Sequence, residues 1–489
     1  MQTRALAGAP ACAESGISAA CRAQTRTLAG HGVTVPAVVI AAPASGSGKT
    51  TVATGLAGAL RHAGHRVAPF KVGPDYIDPG YHSLAAGRPG RNLDPVLVGE
   101  DLIGPLYRHG SHGCDIAVVE GVMGLFDGRI DGTFTGPATG STAHVAGLLA
   151  APVILVVDAK GQSHSMAALL HGFATFDDAT RIAGVILNRV GSPRHEDVLR
   201  QACEHAGIPV LGALPRLTEL SVPSRHLGLI TAVEHGGRAR SAVDAMTALV
   251  ADHVDLAGIV AAAGARVTAQ QWNPHDAVGE RTAAGITVAL AAGKAFSFSY
   301  AEHSELLTAA GADVAEFDPL TERLPVDAAA LVLPGGFPEE FGTELSANDG
   351  VRQQIAALAA RGGPVHAECA GLTYLVDELD GHPMCGVLAG SARFTDGLTL
   401  AYRAAAATAD SSLYAAGERA VGHEFHRTAV TFTGSYQPAW VYRGRDAAAV
   451  RDGAVHGGVH ASYLHTHPAA RPQAISRFVD AAATSKLAG

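Results

Sequence analysis

The sequence predicts two consecutive α/β domains, and three observations carry that prediction. Continuous apolar runs recur between helical stretches in two separate blocks. A Gly/Ser-rich turn leading to Lys49 joins the first run to a helix. A lone cysteine, Cys369, stands at the corresponding strand-to-helix turn of the second block. Strands that are apolar throughout and alternate with helices belong to a parallel sheet covered on both faces.

A chain of 489 residues has room for two to four domains at about 150 residues each. With 47% hydrophobic and 17% charged residues, it can bury a sizeable core, which excludes disorder over most of its length. Asp and Glu number 45 against 36 Lys and Arg, giving −9. That balance disfavours nucleic acid and membrane surfaces as partners. None of the six cysteines forms a CxxC pair, so neither a disulfide framework nor a structural zinc site is expected, and a cytoplasmic location fits. The longest apolar run, Val145 to Val157, is too short to cross a bilayer and contains Pro152. Residues 1–33 carry neither a secretory apolar region nor a helical stripe. They read as a disordered extension or a start codon placed too early, with regular structure beginning near Val35.

The first domain is expected over 34–252. Its strands read as Ala37–Ala42, Arg66–Lys71, Asp115–Glu120, Val153–Asp158, Ile182–Asn188 and Val210–Ala213, with a helix over Lys49–Arg61. Tyr76 to Asp101 is rich in Pro, Gly and Asp and reads as a long functional loop. A linker is placed over 253–285 and the second domain over 286–485. Its strands read as Ile286–Leu290, Asp313–Phe317, Ala329–Leu333 and Pro364–Ala367. Shorter strand pieces follow Gly386, and a final helix covers Pro472–Ala482.

The turn Pro43-Ala-Ser-Gly46-Ser47-Gly48-Lys49-Thr50-Thr51 nearly matches the phosphate-loop pattern, with Pro43 in the first Gly position. Gly46 and Gly48 let the backbone curl so that N–H groups face a phosphate, and the helix N-terminus adds positive potential. Lys49 is placed for the β/γ-phosphates and Thr50 for Mg²⁺. Ligands of a parallel sheet bind at the strand C-termini. Glu120, which ends a buried strand, therefore faces the same edge as a candidate for Mg²⁺, with Asp127 as a second contact or a turn residue. Lys71-Val-Gly-Pro-Asp75-Tyr76-Ile-Asp78-Pro ends the preceding strand. Asp75 suits the metal and Asp78 the substrate, although either alone is also a common turn former. Lys71 is placed to neutralise phosphate charge or, with Tyr76, to meet the substrate. Asn188 is placed either to read an adenine edge or to make a simple turn. Arg88 and Arg91 either grip substrate carboxylates or stay solvated.

Cys369 in Pro364-Val-His-Ala-Glu-Cys369-Ala-Gly occupies a nucleophile-elbow position. A helix N-terminus there lowers a thiol pKa. Gly335 and Gly336, after another strand, suit an oxyanion hole. The base is sought in His460-Ala-Ser-Tyr-Leu-His465-Thr-His467, with His465 preferred for its place after a short apolar run. Cys114 and Cys385 read as packing residues, and His423 and His426 as structural or interface groups.

Together these motifs resemble the cobyrinate/hydrogenobyrinate a,c-diamide synthase family of cobalamin biosynthesis, from about Val35 onward and in the family's order. The resemblance implies a dethiobiotin-synthetase-like ATPase domain followed by a class I-like glutamine amidotransferase domain. It implies ATP and Mg²⁺, L-glutamine, and hydrogenobyrinate or cobyrinate, whose a- and c-acetates become amides through an acyl-phosphate. High-GC composition leans towards the cobalt-free acid, and a homodimer is compatible with the chain. One departure is Ala370, where the family usually has Gly. Two rival readings are a cobyric acid synthase acting on other side chains and a non-enzymatic nucleotide switch. Against the switch, Ala44 stands where ParA/MinD-type ATPases carry a signature Lys.

Overall fold

A computed structural model describes residues 34–130, 132, 136–216, 224–225, 228–229, 231–280, 285–444 and 446–488. The extension expected at 1–33 lies outside the described residues. The first sheet has seven strands in the order β3-β2-β4-β1-β5-β6-β7, all parallel. They are β1 (Ala37–Ala41), β2 (Val67–Val72), β3 (Arg91–Leu93), β4 (Ile116–Glu120), β5 (Val153–Asp158), β6 (Ile182–Val190) and β7 (Val210–Pro215). β1, β2 and β4 are buried at every residue, which explains why their apolar runs are unbroken. The strand order reverses between β1 and its neighbours, and such a switch point opens a crevice at the strand C-termini.

The expected long loop after β2 is not one. It forms α2 (Ile77–Ala86), β3, α3 (Pro95–Val98) and α4 (Glu100–Ser111), whereas α1 (Lys49–His62) follows the phosphate loop as expected. The Pro and Asp residues that suggested a loop are helix starts. Asp94 caps α3 by accepting N–H bonds from Val96 and Leu97, and Pro95 occupies its first turn.

α5 (Gly237–His253) packs along α1, so close that a Cβ at Gly55 would lie 2.4 Å from the Met246 carbonyl. α6 (Leu256–Ala262) follows, and Gly264 N–H then bonds to the Ala37 carbonyl of the first domain. α7 (Pro274–Val278) packs instead on α8 (Ala301–Ala309) and α10 (Pro472–Ala488) of the second domain. The segment between the domains is therefore anchored at both ends.

The second sheet has six strands in the order β9-β8-β10-β11-β15-β14. They are β8 (Ile286–Ala291), β9 (Ala312–Phe317), β10 (Ala328–Leu333), β11 (Val365–Glu368), β14 (Ala454–His456) and β15 (Val459–Ser462). β14 alone is antiparallel. The short strands expected after Gly386 are present, β14 and β15 among them, but they follow one long hairpin that was not expected, β12 (Leu388–Ala407) against β13 (Arg419–Phe432). Ala, Gly and Thr dilute the apolar signal in β12, so its length was hidden. The far end of β13 pairs with β16 (His465–Thr466), with His423 opposite His465.

From Val35 onward the two domains form one compact unit. Their junction is polar as well as apolar. The Arg91 guanidinium on β3 pairs with Glu302 at 2.6 Å and with Glu305, both on α8. Tyr402 donates to Asp94 at 2.8 Å. Glu302 is 1% exposed, so removing Arg91 strands a buried charge. Arg91→Ala should cost about 3–5 kcal/mol, read as a fall in the thermal or denaturant midpoint.

Burial, with the nearby Glu424 charge, pushes the Asp452 carboxyl up to about 7. The folded chain then holds a proton that the unfolded chain releases above the ordinary Asp pKa of about 3.9. Asp452 therefore contributes stability below that value and loses it as pH rises to 7. Asp452→Asn removes the loss, so the variant should gain on the wild type steadily from pH 4 to 7.5 in paired thermal melts.

Candidate active sites

The phosphate loop is shaped by two left-handed glycines, Gly46 (φ 79°) and Gly48 (φ 100°). A Cβ on Gly48 would lie 2.3 Å from Asn188 Nδ2, so only glycine fits. Asn188 Nδ2 donates to the Ser47 carbonyl at 2.9 Å, and Oδ1 accepts from Arg189 N–H. It holds the loop in place. Lys49 Nζ donates to the carbonyls of Met123 and Ala44, so its ammonium lies across the loop. Burial, and then the Lys71 charge, lower its pKa.

Beside it lies a dense charge cluster. Lys71 Nζ is 2.7 Å from Asp78, 3.0 Å from Glu120 and 4.0 Å from Asp75. Burial alone would strip its proton, but those three carboxylates outweigh burial and hold the ammonium charged. Glu120 is likewise kept ionised against its burial by Lys71 and His82, whose Nε2 lies 2.6 Å from Oε2. Burial together with Asp75 and Glu120 pushes Asp78 up. Thr50 Oγ1 donates to Glu120 at 2.6 Å and approaches Asp78 at 3.4 Å. Asp75 accepts the Ile77 N–H and so starts α2.

These groups line a cavity of about 670 Å³ with Ser45, Gly46, Gly48 and Thr51. Leu400, His423 and Phe425 of the second domain close one side, and Met123 and Leu400 leave apolar surface at its rim. Asp127 accepts the Gly124 N–H in a turn beside the phosphate loop, where its charge acts on Lys49. Other candidates lie elsewhere. Arg88 holds Cys114 and the Gly110 carbonyl. Arg91 is the interdomain cation. Tyr76 turns away from the cavity and wedges against Phe298 (ring centroids 5.1 Å apart), Tyr300 (4.6 Å), His465 (5.4 Å) and His423 (5.6 Å).

At the second site β11 ends in Glu368, Cys369 takes φ 50° and ψ −98°, and α9 (Ala370–Leu375) begins. A non-glycine residue in that region marks a strained elbow. The N–H groups of Ala370 and Gly336 point at the sulfur, and burial, chiefly, pushes the thiol up. Gly335 also sits against the histidine. A Cβ there would lie 2.3 Å from His465 Cε1, so this glycine makes room for the ring. The sulfur lies 3.8 Å from the Phe425 carbonyl. Its chamber, about 10 Å³, has room for roughly one water and is lined also by Glu339 and Arg427.

Of the three candidate histidines, His460 Nδ1 faces Ser411 and His467 Nε2 faces Glu302 at 3.9 Å. His465 is fully buried, stacks on His423 at 4.9 Å and presents Nδ1 to Glu368 at 3.7 Å. His82 was passed over in the sequence, whereas His423, read there as a structural or interface group, faces both the cavity and His465. His82 follows Asp78 by one helical turn, a signal hidden once α2 was read as loop.

A phosphate-loop domain fused to a thiol-elbow domain, with the two sites adjoining, defines a glutamine-fed, ATP-using C–N ligase. Family models agree in position. Residues 38–230 match a CobQ/CobB/MinD/ParA nucleotide binding domain, and residues 287–473 match a CobB/CobQ-like glutamine amidotransferase domain. The hydrogenobyrinate a,c-diamide synthase of Mycobacterium bovis is 72% identical over 92% of this chain and 98% of its own. That of Streptomyces coelicolor is 52% identical over 94% and 100%. The cobyrinate a,c-diamide synthase of a Synechococcus strain is 40% identical over 91% and 98%. The chain belongs to the hydrogenobyrinate/cobyrinate a,c-diamide synthase family.

Proposed function

We propose that this chain amidates the a- and c-acetates of hydrogenobyrinate, taking nitrogen from glutamine and energy from ATP. The observation that carries the two-site reading is Phe425. It lines the phosphate-loop cavity and also places its carbonyl on the Cys369 sulfur. The cobalt-free acid is favoured because the relatives named for it are 72% and 52% identical, against 40% for one named for cobyrinate.

In this reading Cys369 attacks the glutamine side-chain amide while His465 takes the thiol proton and passes it to the leaving ammonia. The Gly336 and Ala370 N–H groups hold the oxyanion. Water then frees glutamate from the thioester. In the first domain the loop N–H groups and Lys49 bind the ATP phosphates, and the acid's carboxylate takes the γ-phosphoryl group. Ammonia adds to the acyl-phosphate and phosphate leaves.

Among the described residues no group of three or more His, Cys, Asp or Glu is arranged to hold a metal alone. That suits Mg²⁺ at a phosphate loop, which keeps few protein ligands and fills its shell with phosphate and water. Thr50 Oγ1 with Glu120, and Asp75 beside them, would hold it. Bound there, it neutralises charge on the phosphates.

Mass spectrometry of products tests the substrate. With ATP, Mg²⁺ and glutamine, hydrogenobyrinate should gain two amides, and no amide from it would overturn the assignment. Cys369→Ala should abolish glutamine-dependent synthesis and spare synthesis from added ammonia. Lys49→Ala should lose both by about 100-fold or more, as for other electrostatic stabilisers of a transferring phosphoryl group.

A further inference from the structure

Packing against His423, Tyr76 and Gly335 sets the angle of the His465 ring, but not its proton. The side chain is fully buried, and among the described residues neither ring nitrogen has a hydrogen-bond partner. A base in that state has no fixed tautomer. Among the described residues the one carboxylate it pairs with is Glu368, the residue immediately before the nucleophile, with Oε2 at 3.7 Å from Nδ1. The other oxygen of that carboxylate is anchored. Oε1 accepts from Thr466 N–H at 3.0 Å and from Thr466 Oγ1 at 3.1 Å, and His366 Nε2 lies 3.4 Å away. Thr466 adjoins His465 on β16, so the same two-residue strand sets the carboxylate and the ring against each other.

We propose that Glu368 is the positioning residue of the glutamine-hydrolysing pair, holding the proton of His465 on Nδ1 so that Nε2 is left to take the Cys369 proton. The inference rests on the assignment of Cys369 and His465 to glutamine hydrolysis. An anchored carboxylate behind an imidazole fixes the tautomer and stabilises the imidazolium as it forms. The charge is present to do so. Burial opposes it, but His366 and His465 outweigh burial and hold the Glu368 carboxyl well below the usual range. The other titratable groups around it are His303, His423, His460 and His467, with Tyr76, Tyr300, Tyr414 and the Cys369 thiol. None of them is a second carboxylate that could replace it. A 3.7 Å separation before donor binding is no obstacle, since catalytic hydrogen bonds often tighten only with substrate in place.

A purely structural Glu368 would act by accepting the Thr466 bonds, and a glutamine carbonyl can still accept them. Glu368→Gln therefore removes the charge and keeps the anchor. Glutamate release from glutamine is measured on the full chain, with and without ATP and corrinoid. We expect Glu368→Gln to lower kcat by about 10- to 100-fold with KM within about twofold, the range typical of lost outer-shell partners. Glu368→Asp should recover part of that loss. Unchanged kcat, or a raised KM at unchanged kcat, would overturn the proposal. Thermal melts report the fold. If Glu368→Gln does not fold, Thr466→Val decides. It should lower kcat several-fold at constant KM, and wild-type kcat would reject the role. Hydrolysis surviving in Cys369→Ala would instead reject the underlying assignment, and the inference with it.

Discussion

The buried ammonium of Lys71 is the constraint around which the nucleotide edge is built. It draws carboxylates from three separate places: Glu120 at the end of β4, Asp78 in α2 and Asp75 in the turn between. A lone ammonium in that position would lose its proton, and three lone carboxylates would repel one another. Together they fix where β4 ends, where α2 starts and where Thr50 points. Asn92 secures the same turn by donating to the Gly73 and Asp75 carbonyls. Because Asp75 is fixed, Tyr76 must leave the cavity, and it leaves into the second domain.

That exit makes the two sites neighbours. Tyr76 carries the nucleotide-edge turn into contact with His465, and β13 returns the contact from the other side. Along β13, His423 faces both the cavity and the His465 ring, and Phe425 faces both the cavity and the thiol. Arg91, one residue from Asn92, ties the same region to α8. The interdomain contacts are thus made by residues adjacent in sequence to those of the nucleotide edge.

Much of this was legible in the sequence where a residue's chemistry depends on local backbone. The phosphate loop, the Cys369 elbow and six of the seven parallel strands of the first sheet, all but β3, are signalled by short-range patterns of Gly, apolar runs and strand-to-helix turns. What depends on distant pairing was not. Arg91 looks like a substrate cation until Glu302 and Glu305 arrive from beyond position 300. Tyr76 looks like a ligand contact until the packing turns it to Phe298 and Tyr300. The stretch after Tyr76 looked like loop because helix caps and turns draw on the same residues, Asp and Pro. Glu368 is visible beside the nucleophile, but its role appears only when β16 brings His465 and Thr466 against it.

Phe425 belongs to the walls of both sites, lining the phosphate-loop cavity and the small chamber at Cys369. A residue shared in this way makes the two sites parts of one surface. By reciprocity, any preference that an occupant of one site has for a particular placement of that residue is felt by an occupant of the other in equal measure.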